Sequence, residues 1–125
     1  MSRFVKPETV RYDLAPDPTG RVEWIEIKKR LNQGEANSVM TAGWRSVNRG
    51  QEVMVDWRAQ TFARTVMYLV RWSFLDEDDQ QTKPSAETIE ALDQETFAEI
   101  QELITRHIEL EAEARKNAPS PSATA

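Results

Sequence analysis

The stretch Asp56–Phe74, DWRAQTFARTVMYLVRWSF, decides how the chain folds. Asp56 is a good N-cap, and Ala59, Phe62, Ala63, Val66, Met67, Leu69, Val70 and Phe74 recur at helical spacing, which makes one broad face apolar. Opposite lie Arg58, Thr61, Arg64, Thr65 and Arg71, a solvated face with three cations. The spacing predicts a central core helix over 56–74. Trp57 and Trp72 then lie fifteen residues apart on the same helix, and Tyr68 lies one turn before Trp72.

On the N-terminal side, TVRYDL (9–14) places Val10, Tyr12 and Leu14 on one face and Thr9, Arg11 and Asp13 on the other, the period of a half-buried strand. Pro16, Asp17, Pro18 and Gly20 supply turn chemistry. VEWIEIKK (21 is Arg, 22–29 the strand) returns, with Ile25 and Ile27 directed at the body of the fold. The reading is a β-hairpin over 9–28, and a two-stranded hairpin needs helices or another chain to pack on. Asn32 followed by Glu35 matches a capping box, so a helix is expected over about 33–48, closed near Asn48 and Gly50.

On the C-terminal side, LDEDDQQTKPSAET reads as an exposed acidic connector. Ser85 caps a short helix over 86–92. Asp93 caps a longer one over 94–116, which carries Phe97, Ile100, Leu103, Ile104, Ile108 and Leu110. The end, NAPSPSATA, has the composition of a disordered tail over 117–125. The fold class expected is α+β and mainly α: one domain over 1–116, with an N-terminal hairpin packed on three principal helices and one short helix.

Composition narrows the function classes. At 125 residues the chain holds one modest core. It has no cysteine, which removes disulfides, thiolate metal sites and thiol nucleophiles. MSRFVKPETV lacks an apolar run of signal-peptide length, and the Val66–Val70 run is closed off by Arg64 and Arg71, so neither export signal nor membrane span is expected. Residues 1–75 carry 12 Lys and Arg against 8 Asp and Glu, a charge of +4; residues 76–125 carry 4 against 13, or −9. That asymmetry favours attraction between the halves, within a chain or head to tail, and counts against nucleic-acid binding by the C-terminal half.

Each chemical motif has a plainer reading beside it. Lys28, Lys29 and Arg30 precede Gly34, but a phosphate turn needs several glycines and a following Lys-Ser or Lys-Thr, and Glu35 would repel the anion. A solvated basic cluster, able to meet an acidic partner surface, fits better. Residues 76–87 imitate a calcium loop at Asp76, Asp78 and Glu87, yet Gln81 stands where the turn requires Gly and Pro84 occupies a ligand position. His107 is the sole histidine and lacks a neighbouring base, nucleophile or ligand cluster, so it reads as a helix-boundary residue. No catalytic, cofactor or metal set emerges, and a non-enzyme is expected. Four tryptophans are more than so small a core buries easily, which points to Trp44, Trp57 and Trp72, with Tyr68, as candidate partner contacts beside Lys28, Lys29 and Arg30.

Taken together, MSRFVKPETVRYDL, WIEIKKRLNQGE, YLVRWSFLDED and IEALDQETFAEIQELI resemble the tail assembly chaperones and related small tail-module proteins of long-tailed bacteriophages. In that family a strand pair ending in W-[IV]-x-[IV]-[KR] runs through an L-x-x-G-E step into helices; Trp24, Ile25, Ile27, Lys28, Leu31, Gly34 and Glu35 match it, and the similarity spans about residues 3–113. The resemblance implies a protein of the infected host's cytoplasm that binds the long tape measure protein while tail tube subunits polymerise around it. Two alternatives stay open: a structural virion protein of the head-tail joining or tail module, and a small nucleic-acid-binding regulator using Lys28–Arg30 with Arg58, Arg64 and Arg71.

Overall fold

Two strands, β1 (Thr9–Asp13) and β2 (Trp24–Lys28), pair antiparallel in a computed structural model that describes residues 3–117. The expected disordered tail, apart from Asn117, lies outside the described residues. The register Val10–Ile27 and Tyr12–Ile25 puts these four on one face, and both isoleucines are fully buried. Between the strands, the Asp17 carboxylate accepts from the N–H groups of Thr19 and Arg21, closing the Asx turn that the sequence encodes.

The stretch 56–74 is not one helix. Asp56 does cap helix α2, but α2 runs Trp57–Tyr68. Leu69 then turns extended, at φ −68° and ψ 124°, and Leu69–Trp72 forms a further strand of the sheet, antiparallel to β2. The sheet therefore has three strands with β2 in the middle: this late strand flanks β2 on the edge that β1 leaves open. Over four residues, helix and strand periods cannot be told apart by apolar spacing. The tertiary gain decides between them, because a lone hairpin is marginal and an open edge of β2 would stand beside buried Ile25 and Ile27.

This correction relocates several side chains. Trp72 leaves the helix and is 1% exposed, so it does not share a helix with Trp57. Thr65, expected in solvent, is wholly buried, and Arg64 reaches across to the Thr105 hydroxyl at 2.8 Å. Arg71 lies on the outer face of the sheet, where its Nε is 3.1 Å from the carboxylate of Glu26 and Arg11 lies 3.8 Å from the same group. Glu26 is thus buried with paired charge, which is the condition on which a buried carboxylate is tolerated.

Helix α1 (Gln33–Ala42) has the predicted capping box but stops six residues short of 48. After Gly43 the chain forms β3 (Trp44–Val47), a 3-10 turn at Asn48–Gly50 and β4 (Glu52–Val55), a second, separate hairpin. The late strand Leu69–Trp72 is accordingly β5. Helices α3 (Ala86–Glu90) and α4 (Gln94–Asn117) follow, close to their predicted limits, with Ser85 and Asp93 capping them. The fold is α+β and mainly α, with four helices among the described residues.

The acidic connector is more ordered than its composition suggests. The Trp72 indole N–H donates to the Thr82 hydroxyl at 2.7 Å, the Gln81 amide donates to the Trp72 carbonyl at 2.8 Å, and Leu75 bridges to Gln81. The Asp76 carboxylate accepts from the N–H groups of Asp78 and Gln80, so it is occupied by its own turn.

The core lies between the inner face of the three-stranded sheet and the helices α2 and α4. Ile25, Ile27, Leu69 and Trp72 form one buried cluster there with Ile100 and Ile104, joined by Leu14, Tyr68 and Ile89. His107, read from the sequence as a boundary residue, is 2% exposed and inside it. No helix among the described residues is long and apolar enough to cross a membrane.

Candidate interaction surface

The segment from α1 to the start of α2 buries almost nothing of its own. Helix α1 has no buried residue, and every described side chain of β3 and β4 is exposed. The capping box holds its entrance: the Glu35 N–H donates to Asn32, and the Glu35 carboxylate accepts the Asn32 N–H and pairs with Lys28. The Lys28 ammonium and the Asn32 N–H together hold the Glu35 carboxyl below the usual carboxylate range.

The base of the β3–β4 hairpin is a close approach between Gly43 and Asp56. The Asp56 N–H donates to the Gly43 carbonyl at 2.7 Å, and a Cβ on Gly43 would lie 2.5 Å from the Asp56 carbonyl oxygen, so only glycine fits. The Asp56 carboxylate accepts from the N–H groups of Arg58 and Ala59 and pairs with Arg45 at 2.8 Å. The Ala59 N–H foremost, and then the Arg45 charge, keep its pKa low. At the tip, Arg49 and Gly50 are consecutive left-handed residues, φ 60° and 84°, which reverse the chain in the sense that a twisted hairpin requires.

Register sorts the hairpin's two faces. Trp44 pairs with Val55 and Ser46 with Val53, so Trp44, Val53 and Val55 share one face, while Arg45 and Met54 share the other. Trp44 is 50% exposed, Val53 60% and, two residues past β4, Trp57 70%. Met40 on α1 is also exposed. Scattered exposed apolar residues are ordinary, but two tryptophans with three aliphatic side chains on one short segment are not, and such patches mark contact sites.

Of the candidate contacts read from the sequence, Trp44 and Trp57 stand on this surface. Tyr68 and Trp72 do not: both are buried in the core, where the Trp72 N–H is already bonded to Thr82. Lys28, Lys29 and Arg30 do not form a free basic cluster. Each has an acidic neighbour, Lys28 with Glu35, Lys29 with Glu8 at 3.5 Å and Arg30 with Glu111 at 3.9 Å. Met40, Val53 and Val55 were not singled out in the sequence. The usable signal was Glu52-Val53-Met54-Val55, a β-branched alternation held between Gly50 and the Asp56 cap.

A second apolar feature lies between α2 and α4, a groove of about 540 Å³ lined by Trp57, Arg58, Thr61, Phe62, Phe97 and Gln101. Phe62 and Phe97 meet at its floor with ring centroids 6.4 Å apart. Among the described residues no group of three or more His, Asp or Glu side chains is placed to hold a metal ion. No family model, curated protein or solved structure matches this chain.

Proposed function

We propose that this protein works by protein-protein contact, as a non-enzymatic tail assembly chaperone of the kind its sequence motifs resemble. The observation that carries the reading is the exposed apolar face of the β3–β4 hairpin, Trp44, Val53 and Val55, in a segment that also exposes Met40 and Trp57 and buries none of these side chains. A tape measure protein is a long helix, and an amphipathic helix of that kind offers the apolar stripe such a surface would cover. The pairing of Lys28, Lys29 and Arg30 with acidic neighbours favours this reading over the nucleic-acid regulator.

The structural virion protein remains the second reading, supported by the open edges of the two-stranded β3–β4 ribbon, which a neighbour's strand could extend. Co-expression of the tagged chain with the tape measure protein and tail tube protein of the same virus tests both. Recovery of a tape measure protein that is insoluble alone, with loss of recovery in Trp44→Ser/Val53→Ser, supports the chaperone; particle analysis should then find this chain absent from finished virions. Stoichiometric presence in virions would overturn that reading in favour of the structural one.

A further inference from the structure

Two cations border the α2–α4 groove with no acid to meet them, one in its lining and one just beyond it. Arg58 stands on its rim, and Arg64, one turn beyond Thr61, reaches Thr105, one turn beyond Gln101. Neither guanidinium makes an ion pair among the described residues; Asp56, the acid that feels Arg58, is already bound to Arg45. The Nε of Arg64 is shielded from solvent without a hydrogen-bond partner, an arrangement that a carboxylate drawing the guanidinium outward would relieve. An apolar floor with one unneutralised arginine on its rim and a second beyond its end suits an occupant with an apolar anchor flanked by carboxylates.

This chain offers one on a helix. Leu110 is 54% exposed on the outer face of α4, and Glu109 and Glu113, exposed and one turn apart, flank it. Neither carboxylate is paired among the described residues, whereas Glu102 is paired with Arg106 and Glu111 faces Arg30. The carboxylates are spaced about 6 Å along their helix and the arginines about 9 Å along theirs, a difference that the flexible stems span. Two-fold pairing of groove on groove would instead set arginines against arginines.

We infer that the groove of one copy receives the Leu110 segment of α4 from a second copy. The contact is head to tail: each copy keeps one groove and one Leu110 ridge free, so association continues into a ring or an open chain. It borders the hairpin surface at Trp57 but does not use the Trp44, Val53 and Val55 face, so it stands whether or not that face binds a foreign partner.

Light scattering and sedimentation of the full chain alone test it. The average mass should rise with protein concentration and fall at high salt, since exposed charge pairs are screened. Arg58→Glu and Leu110→Glu, both at exposed positions, should each weaken self-association by about 10-fold or more. Mixed together, the two variants retain one intact groove and one intact ridge between them, so the mixture should stop at a one-to-one dimer. A wild type that stays monomeric at every concentration overturns the inference. So does association that survives both variants but is lost in Trp44→Ser, which would assign it to the hairpin.

Discussion

The hydroxyl of Tyr12 lies 2.7 Å from Nδ1 of His107, and the other ring nitrogen, Nε2, lies 2.9 Å from the Lys29 carbonyl oxygen. A carbonyl only accepts, so Nε2 carries the proton and Nδ1 accepts from Tyr12. One imidazole thereby ties β1, the end of β2 and α4 together, with Tyr68 edge-on at 6.3 Å. Tyr12→Phe leaves Nδ1 buried and unpaired and should cost about 1–3 kcal/mol. Urea denaturation measures it; an unchanged midpoint would mean that the ring turns to another partner.

Gly43→Ala places a methyl group against the Asp56 backbone, where nothing flexible gives way. The expected loss is about 1–3 kcal/mol. Hydrogen exchange should locate it, with faster exchange across β3 and β4 while β2 and β5 stay protected.

Acid should loosen the helix starts. Asp56 and Asp93 both have lowered pKa values, Asp56 chiefly through the Ala59 N–H and Asp93 chiefly through the Thr96 N–H. A lowered carboxyl stabilises the fold above its unfolded value, near 3.8, and that contribution is lost as pH falls through the folded value. Asp56→Asn keeps a capping oxygen but does not titrate. The stability gap between it and the wild type, followed by circular dichroism during denaturation, should narrow from neutral pH downward to below about pH 4; a gap independent of pH would exclude this role for the Asp56 charge.

Tryptophan emission should divide into two classes. Trp44 and Trp57 are open to an aqueous quencher such as acrylamide, while Trp72 is enclosed. Trp44→Phe and Trp57→Phe should each remove a quenchable fraction, and Trp72→Phe a protected one. Thr82→Val strands the Trp72 indole N–H and should cost about 1–3 kcal/mol.

Much of the fold was legible because local chemistry wrote it. The β1–β2 alternation, the Asn32–Glu35 box and the caps at Asp56, Ser85 and Asp93 each rest on side chains acting within a few residues. What escaped was non-local. Nothing within Leu69–Trp72 separates strand from helix; the open edge of β2, more than forty residues earlier, does. His107 looked peripheral for the same reason, since Tyr12 and Lys29 are its partners only after folding. Composition suggested that some of the tryptophans are exposed, and Trp44 and Trp57 are, but the sheet that encloses Trp72 and the core that encloses Tyr68 arise only on folding.

Helix α1 and the β3–β4 hairpin contribute no side chain to the core cluster, and Gly43 with Asp56 fastens the hairpin's two ends at one point. Substitutions on their outward positions therefore carry little penalty to folding. The architecture thus leaves sequence free to drift in this segment, while Gly43, Asp56 and the residues around His107 are held by their contacts.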